Sequence, residues 1–223
     1  MHPTKGKIMN HLAAKSISAA VAVLGLALFL AAAAAPPRPL AAPPAQASTA
    51  APASEIVLAL DPAQSKVHWT VDSTLHTVHG SFNLKSGTLH FDPQTGKASG
   101  AIVVYATSGD SGNANRDARM HKEILETAKF PEATFHPTQI EGPISPTGAS
   151  DIKLRGTFNL HGADHDLTAQ VHADLASDHW TATAKFEVPY IAWGIKDPSN
   201  FLLKVKPVVN VELEISGRLQ PAK

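Results

Sequence analysis

Apolar and polar side chains alternate along most of the chain from Trp69 onward. Ile152, Leu154 and Phe158, for example, alternate with polar residues such as Lys153. A period of two is typical of β-strands that have one apolar and one polar face. Many such strands in fewer than about two hundred residues bury their apolar faces by closing into a barrel or stacking as a sandwich. The pattern therefore predicts an all-β protein.

Short turn-forming segments separate the predicted strands. Ser86-Gly87, residues 92–96, residues 161–164 and Ser177-Asp178 favour hairpins between sequence neighbours, and hence an antiparallel up-and-down meander. The predicted strands are residues 55–60, 66–72, 77–85, 88–91, 100–107, 133–137, 152–161, 166–175, 180–188 and 204–215.

One segment departs from the strand pattern. It begins at Asn113 or Asn115, either of which is able to cap a helix, and runs to about Thr127, with Met120 and Ile124 at helical spacing. We expect a single short helix that covers one end of the barrel. The irregular stretch 192–200 is expected to form another loop at the barrel mouth.

The inward face of the strands has two interpretations. From periodicity alone, a core packed with side chains is favoured over an open lumen, although a barrel of about eight strands allows either. The inward positions predicted by the alternation include Trp69, Val71, Phe82, Leu84, Phe158, Leu160, Trp180 and Phe186.

The N-terminal region has the pattern of a secretory signal. Three lysines precede an uncharged apolar run over residues 17–35, and Ala45-Gln46-Ala47 supplies the small residues that cleavage requires. We expect a signal peptide at residues 1–47, a disordered Ala/Pro-rich tether that includes residues 48–54, and one barrel domain at residues 55–219. The alternative is an uncleaved N-terminal membrane anchor.

Charge and cysteine content exclude several classes of function. Without residues 1–47 the chain has 15 basic and 19 acidic residues, a net charge of about −4, and no basic cluster, so we expect no nucleic-acid partner. The absence of cysteine excludes disulfides, thiol catalysis and Cys-type zinc sites.

Candidate catalytic and metal-binding residues are weakly patterned. His161 and Asp164 flank a predicted turn and are a candidate pair for acid–base chemistry. Histidines on polar strand faces are usually solvated, however. We expect no metal site. Residues 108–112 resemble a nucleophile elbow only superficially. Arg116 and Arg119 share a helix face and would suit a carboxylate or pyrophosphate, the alternative being ion pairs with Asp117 or Glu123.

Several motifs together resemble the YceI family of exported lipocalin-like proteins. They are Ser65-x-Val67-x-Trp69-x-Val71, Val78-x-Gly80-x-Phe82, the segment 108–117, Lys129-Phe130-Pro131 followed by Ala133-Thr134-Phe135, Gly156-x-Phe158-x-Leu160-His161-Gly162, and Trp193-Gly194-Ile195. One position departs from the family pattern. The family usually has His-Leu one residue after Arg-Asp, whereas this chain has Arg119-Met120.

The resemblance implies an antiparallel lipocalin-like β-barrel that holds a long isoprenoid-type lipid, and so it favours a lumen over a packed core. It implies a periplasmic, non-enzymatic binding protein without a cofactor, whose partner is a polyisoprenoid or isoprenoid-quinone lipid. Transient membrane contact is a further expectation. Phe135 joins the interior positions given above as a lipid-contacting residue. Head-group or rim residues would be Tyr105, Arg116, Arg119, Tyr190 and Trp193.

Two other functions remain open at this point. One is a barrel hydrolase or isomerase that uses a His/Asp pair such as His161 and Asp164, which requires the pair to face the lumen. The other is a stress-induced structural protein with a filled core, which requires that no internal cavity exists.

Overall fold

The computed structural model describes residues 55–145 and 147–220, which fold into one antiparallel barrel. The predicted signal peptide (1–47) and tether (48–54) lie outside the described residues. The strands are β1 (Ile56–Leu60), β2 (Lys66–Asp72), β3 (Thr77–Phe91), β4 (Ala98–Asp110), β5 (Glu132–Glu141), β6 (Gly148–Leu160), β7 (Ala163–Leu175), β8 (His179–Val188) and β9 (Val209–Gln220). The helical elements are a 3₁₀ turn (Pro62–Gln64), helix α1 (Ala114–Arg119) and a π-helical turn (Met120–Ile124).

The barrel is an up-and-down meander, as predicted. From β2 to β9 each strand pairs antiparallel with the next strand in sequence, and β9 returns to pair with β2. This closure removes sheet edges and gives an eight-strand ring. Strand β1 does not add a ninth position, because it pairs with the far ends of β3 and β9 and so continues the line of β2.

The interruption between β1 and β2 has a local cause. Pro62 begins the 3₁₀ turn, and a proline lacks the N–H that a strand ladder needs. The Asp61 carboxylate caps the turn by accepting the N–H of Ala63 at 2.9 Å. One barrel position is therefore built from two short strands instead of one long strand.

The predicted hairpin at Ser86-Gly87 is wrong. Strand β3 runs without a turn through this point, and only a register shift between Leu84 and Ser86 marks it. Gly87 faces the Leu60 side chain, and a Cβ atom on Gly87 would lie 2.6 Å from a Leu60 methyl. This glycine therefore permits close packing beside the broken first strand and does not reverse the chain.

Several other strand boundaries differ from the predicted ones. Strand β5 continues past Pro137 to Glu141 by way of a register shift, and β9 begins at Val209 and not at Lys204. The β6–β7 hairpin uses only His161 and Gly162, both at positive φ (55° and 77°). That geometry is the one favoured for two-residue hairpins, so the predicted turn at 161–164 is confirmed in a shorter form.

The predicted helix is confirmed, but its second half is π-helical. The Asn113 side chain caps α1 by accepting the Arg116 N–H at 3.1 Å. The Leu125 N–H then donates to the Met120 carbonyl at 2.8 Å, an i→i+5 bond that widens the last turn. Within the described part of the chain, no helix has both the length and the apolar character needed to cross a membrane.

Candidate ligand-binding cavity

The barrel encloses a cavity of about 640 Å³. This volume lies in the range of sites that bind small molecules. Its lining is almost wholly aliphatic and aromatic, supplied by the inward-facing residues of all the strands. The interior of the described barrel is therefore hollow, in agreement with the lumen that the family resemblance implies and not with the packed core that periodicity alone favoured.

Most of the predicted interior residues line this cavity. Leu84 is the exception, since it is buried in the barrel wall but does not border the void. The rings of Phe158 and Phe186 meet edge to face, with centroids 6.0 Å apart. The predicted residues that border the cavity are Trp69, Val71, Phe82, Phe135, Phe158, Leu160, Trp180 and Phe186.

A patch of alanines on β7 and β8 makes room inside the barrel. Ala169, Ala173, Ala182 and Ala184 all border the cavity, and Ala173 pairs directly with Ala182 across the two strands. On β7 the inward residues beside these alanines are Leu and Val, and on β8 Ala182 and Ala184 lie between Trp180 and Phe186. The alternation pattern counts alanine as apolar without regard to its size, so sequence analysis missed this group.

The cavity reaches solvent at the end of the barrel that carries the helix. We call this end the mouth and define it by residues 73–76, 111–131, 161–162 and 189–208, the segments that connect strands there. Three lining residues are exposed, and all three belong to it: His76, Asn115 and Arg119. The lining residues at the opposite end are buried or half-buried. The mouth is therefore the route between the cavity and solvent.

The two arginines predicted for the head group both border the cavity at the mouth. Arg116 is held in place, because its Nε and Nη2 donate to the Ser111 hydroxyl and carbonyl, each at 2.7 Å. Arg119 is freer, with its Nε 3.6 Å from a Glu123 carboxylate oxygen. Since no aspartate or glutamate lines the cavity, these guanidinium groups give the mouth a positive potential.

Asp117 holds Ser111, the residue to which Arg116 donates its hydrogen bonds. It accepts from the Ser111 backbone N–H at 3.0 Å and also from the Ser111 hydroxyl. Burial raises the pKa of Asp117, but the Ser111 hydrogen bonds and the charge of Arg116 outweigh it and hold the pKa below its usual value. The carboxylate therefore stays ionised and fixes the Ser111 group that orients Arg116.

Tyr190 supplies a neutral polar group near the mouth. Its side chain is buried and borders the cavity, and its hydroxyl has no hydrogen-bond partner among the described residues. Burial, with a smaller effect from Asp197, raises the pKa of Tyr190 to about 12. The hydroxyl therefore remains protonated at neutral pH and is available as a donor.

Two predicted rim residues lie away from the cavity. Tyr105 points to the outside of β4, because its neighbours Val104 and Ala106 both face inward, and its ring lies under Lys85. Trp193 does not border the cavity either. Its ring stacks on His165 at 4.1 Å.

The candidate catalytic groups are not assembled. His161 Nε2 lies 3.0 Å from the Glu126 carboxylate, whereas Asp164 accepts a hydrogen bond from Asn159 at 2.7 Å, so each member of the pair expected for a hydrolase contacts a different residue. The Ser108 hydroxyl donates to the Tyr105 carbonyl. Within residues 55–145 and 147–220, no group of three or more His, Asp or Glu side chains is placed to hold a metal ion.

The fold and the cavity define a lipocalin-like class of protein, a closed antiparallel barrel with an apolar interior and a polar mouth. The family model for the YceI-like domain matches residues 58–217, which cover the barrel from β1 to β9. The chain therefore belongs to the YceI family. A UPF0312 protein of Shewanella sp. (strain MR-4) is 30% identical over 173 residues, covering 76% of this chain and 88% of the relative.

Two solved structures share the fold at low sequence identity. BcnA of Burkholderia cenocepacia superposes with a TM-score of 0.59 at 18% identity, covering 71% of this chain and 99% of that protein. A polyisoprenoid binding domain from Saccharophagus degradans, implicated in plant cell wall breakdown, superposes with a TM-score of 0.53 at 14% identity, covering 74% and 98%.

Proposed function

We propose that this protein binds a long isoprenoid-type lipid inside its barrel and catalyses no reaction on it. The observation that carries the proposal is the hollow apolar interior of about 640 Å³ with a cationic mouth. A prenyl chain gains roughly 25 cal/mol for each square ångström that it removes from water. The Saccharophagus degradans domain adds support, because it is described as polyisoprenoid binding and has the same fold as this chain.

The non-catalytic part of the proposal is supported by the contacts and positions of the candidate groups. His161 is engaged with Glu126 and Asp164 with Asn159, and neither residue borders the cavity. A general base must lie within hydrogen-bond reach of the atom that it deprotonates. We further propose a periplasmic location, which rests on the signal-like pattern of residues 1–47.

A mass-spectrometric analysis of lipids co-purifying with the protein tests the main proposal. The protein is purified without detergent from a bacterial host and extracted with organic solvent. We expect prenyl lipids in amounts that approach one molecule for each protein molecule. Recovery of only diacyl lipids, or of no lipid after exposure to a prenyl lipid mixture, would contradict the proposal.

For the head group, we propose an anionic group such as a phosphate or pyrophosphate. Arg116 and Arg119 border the cavity, and no carboxylate does. Phosphate oxygens match the planar donor geometry of arginine. Arg119 is the better residue to change because Arg116 also holds the Ser111 loop.

The substitution Arg119→Gln tests this head-group assignment. We expect weaker binding of a prenyl phosphate, with binding of an uncharged prenol unchanged. Lys122→Gln is the matched control, because Lys122 is exposed on the same helical segment but does not border the cavity. Equal losses in the two variants, or equal losses for both ligands, would refute a specific role for Arg119.

A quinone head group is the second candidate, and the unpartnered Tyr190 hydroxyl favours it. A protonated phenol donates well to a neutral carbonyl oxygen. Tyr190→Phe removes this donor and keeps the ring. Under this alternative the variant loses affinity for a prenylquinone, and Arg119→Gln does not.

A further inference from the structure

Three large apolar side chains are strongly exposed at the mouth. Phe201 is 95% exposed, Leu202 80% and Leu75 72%, the highest values for large hydrophobic residues in the described part of the chain. We call these three residues the apolar tip. Single exposed apolar residues are ordinary on protein surfaces, but a group of them on adjoining loops marks a contact surface.

The backbone holds the apolar tip in an ordered, projecting position. The Asn200 side chain accepts from the N–H groups of Leu202 and Leu203 at 2.9 and 2.8 Å, which closes a tight turn around Phe201. The neighbouring loop is attached to this turn, because the Thr74 N–H donates to the Lys204 carbonyl at 2.9 Å. The apolar side chains are thus presented outward by a fixed scaffold.

The apolar tip adjoins the opening of the cavity. His76 follows Leu75 and borders the cavity, and so do Leu203, which follows Leu202, and Val205 two residues further on. The loops that carry the apolar tip therefore also contribute to the cavity lining. A surface that contacts the tip would lie beside the entrance.

Charge is distributed unevenly between the mouth and the rest of the barrel. The mouth segments carry seven basic and four acidic residues, whereas the remaining described residues carry seven basic and fifteen acidic residues. The mouth is therefore positive and the barrel wall strongly negative. An anionic surface attracts the mouth, repels the wall, and so selects one orientation of the molecule.

We infer that the apolar tip inserts into the surface of an anionic phospholipid bilayer and places the cavity mouth against the membrane. Exposed Phe and Leu side chains beside lysines are the combination that binds such an interface, since the apolar groups enter the acyl boundary and the cations meet the headgroups. This inference goes beyond the proposed function, because it holds for any ligand that the cavity takes.

A second copy of the chain fits the apolar tip less well. Three side chains on two adjoining loops offer far less than the roughly 1,000 Å² that a stable interface needs. A symmetric contact would also bring two positively charged mouths together, which is unfavourable. A bilayer surface with negative headgroups needs no large protein interface, and it attracts the positively charged mouth.

Vesicle flotation with the purified protein tests the inference. Vesicles contain phosphatidylcholine alone or phosphatidylcholine mixed with phosphatidylglycerol, and carry no prenyl lipid. We expect binding to the mixed vesicles, reduced by added salt, and at least about tenfold weaker binding for the double substitution Phe201→Ser with Leu202→Ser. Tyr105→Ser, which removes an exposed aromatic ring from the barrel wall, is the control and should bind as the parent does.

A charge reversal provides the second measurement. Lys204→Glu in the mouth should weaken flotation, whereas Lys153→Glu on the exposed face of β6 should leave it unchanged. Equal flotation of the tip variant and the parent would overturn the inference, as would loss of a parent dimer in the tip variant without vesicles. Because these vesicles hold no prenyl lipid, the result is independent of whether the cavity retains such a lipid.

Discussion

Filling the alanine patch should remove the ligand while preserving the fold. The perturbation is the double substitution Ala173→Leu with Ala182→Leu, at two positions that pair across β7 and β8 and both border the cavity. In a packed core these changes would overfill the interior and destabilise the barrel. In a hollow barrel the added carbons enter existing apolar space.

The magnitude follows from the added carbons. Each change adds three carbons, and at about 0.8 kcal/mol for each buried CH₂ the upper limit is roughly 2.4 kcal/mol of added stability at each site. Imperfect packing of the new side chains offsets about 1–3 kcal/mol of this added stability. The free energy of unfolding should therefore change little or increase. Binding of the proposed prenyl lipid should fall by about tenfold or more, equivalent to ~1.4 kcal/mol, because two leucines would occupy space that its chain needs.

Urea unfolding and lipid retention, measured on the same preparations, separate the two effects. Ala101→Leu is the matched control, since it makes the same chemical change on β4 beside the inward-facing Ile102, and so on the outer face. The control should keep both stability and bound lipid. A double variant that unfolds several kcal/mol more easily than the parent, or one that retains its lipid in full, would refute the reasoning from a hollow interior.

Three further outcomes are expected. Gly80→Ala should destabilise the barrel by about 1–3 kcal/mol in urea unfolding, because the new Cβ overlaps the Trp69 indole; an unchanged midpoint would contradict this packing. Asn113→Ala should cost the helix roughly 1 kcal/mol, seen as faster amide exchange confined to the mouth, and uniform exchange would argue against a local cap. The Lys196 hydrogen bond and charge lower the pKa of Glu123, so the stabilisation by this pair is present above about pH 4.5 and is lost as pH falls through the lowered folded-state value. Glu123→Gln should remove that part of the pH dependence of unfolding, and an identical pH profile would count against it.

The fold was largely predictable because the barrel depends on a periodic signal. Strict alternation predicted β2 at Lys66–Asp72, the bounds that it has in the structure. The strand prediction is wrong where a residue type can have either of two structural roles. Gly87 was interpreted as a turn residue, but it makes room for the Leu60 side chain, and a sequence alone does not show which neighbour approaches a glycine.

Periodicity alone does not predict every residue of the site or the size of the cavity. Tyr105 was placed at the rim by its residue type, although its position between the inward-facing Val104 and Ala106 indicates the outer face. Trp193 lies in a connecting segment, where no periodicity applies. The size of the cavity depended on Ala173 and its alanine neighbours, because alternation distinguishes apolar from polar side chains but not large from small ones.

The wall and the mouth of this barrel are under different physical constraints. The wall determines the volume of the cavity, and the mouth determines which polar groups lie at its opening. Wall residues such as Phe158 face inward and border the cavity, so a change there alters cavity volume and stability together. Mouth residues such as Arg119 and Phe201 are exposed, so their substitution costs the fold little. Arg119 presents a guanidinium group at the opening of the cavity. Under the proposed function, substitutions at the mouth should therefore change head-group preference and membrane contact without disturbing the apolar interior.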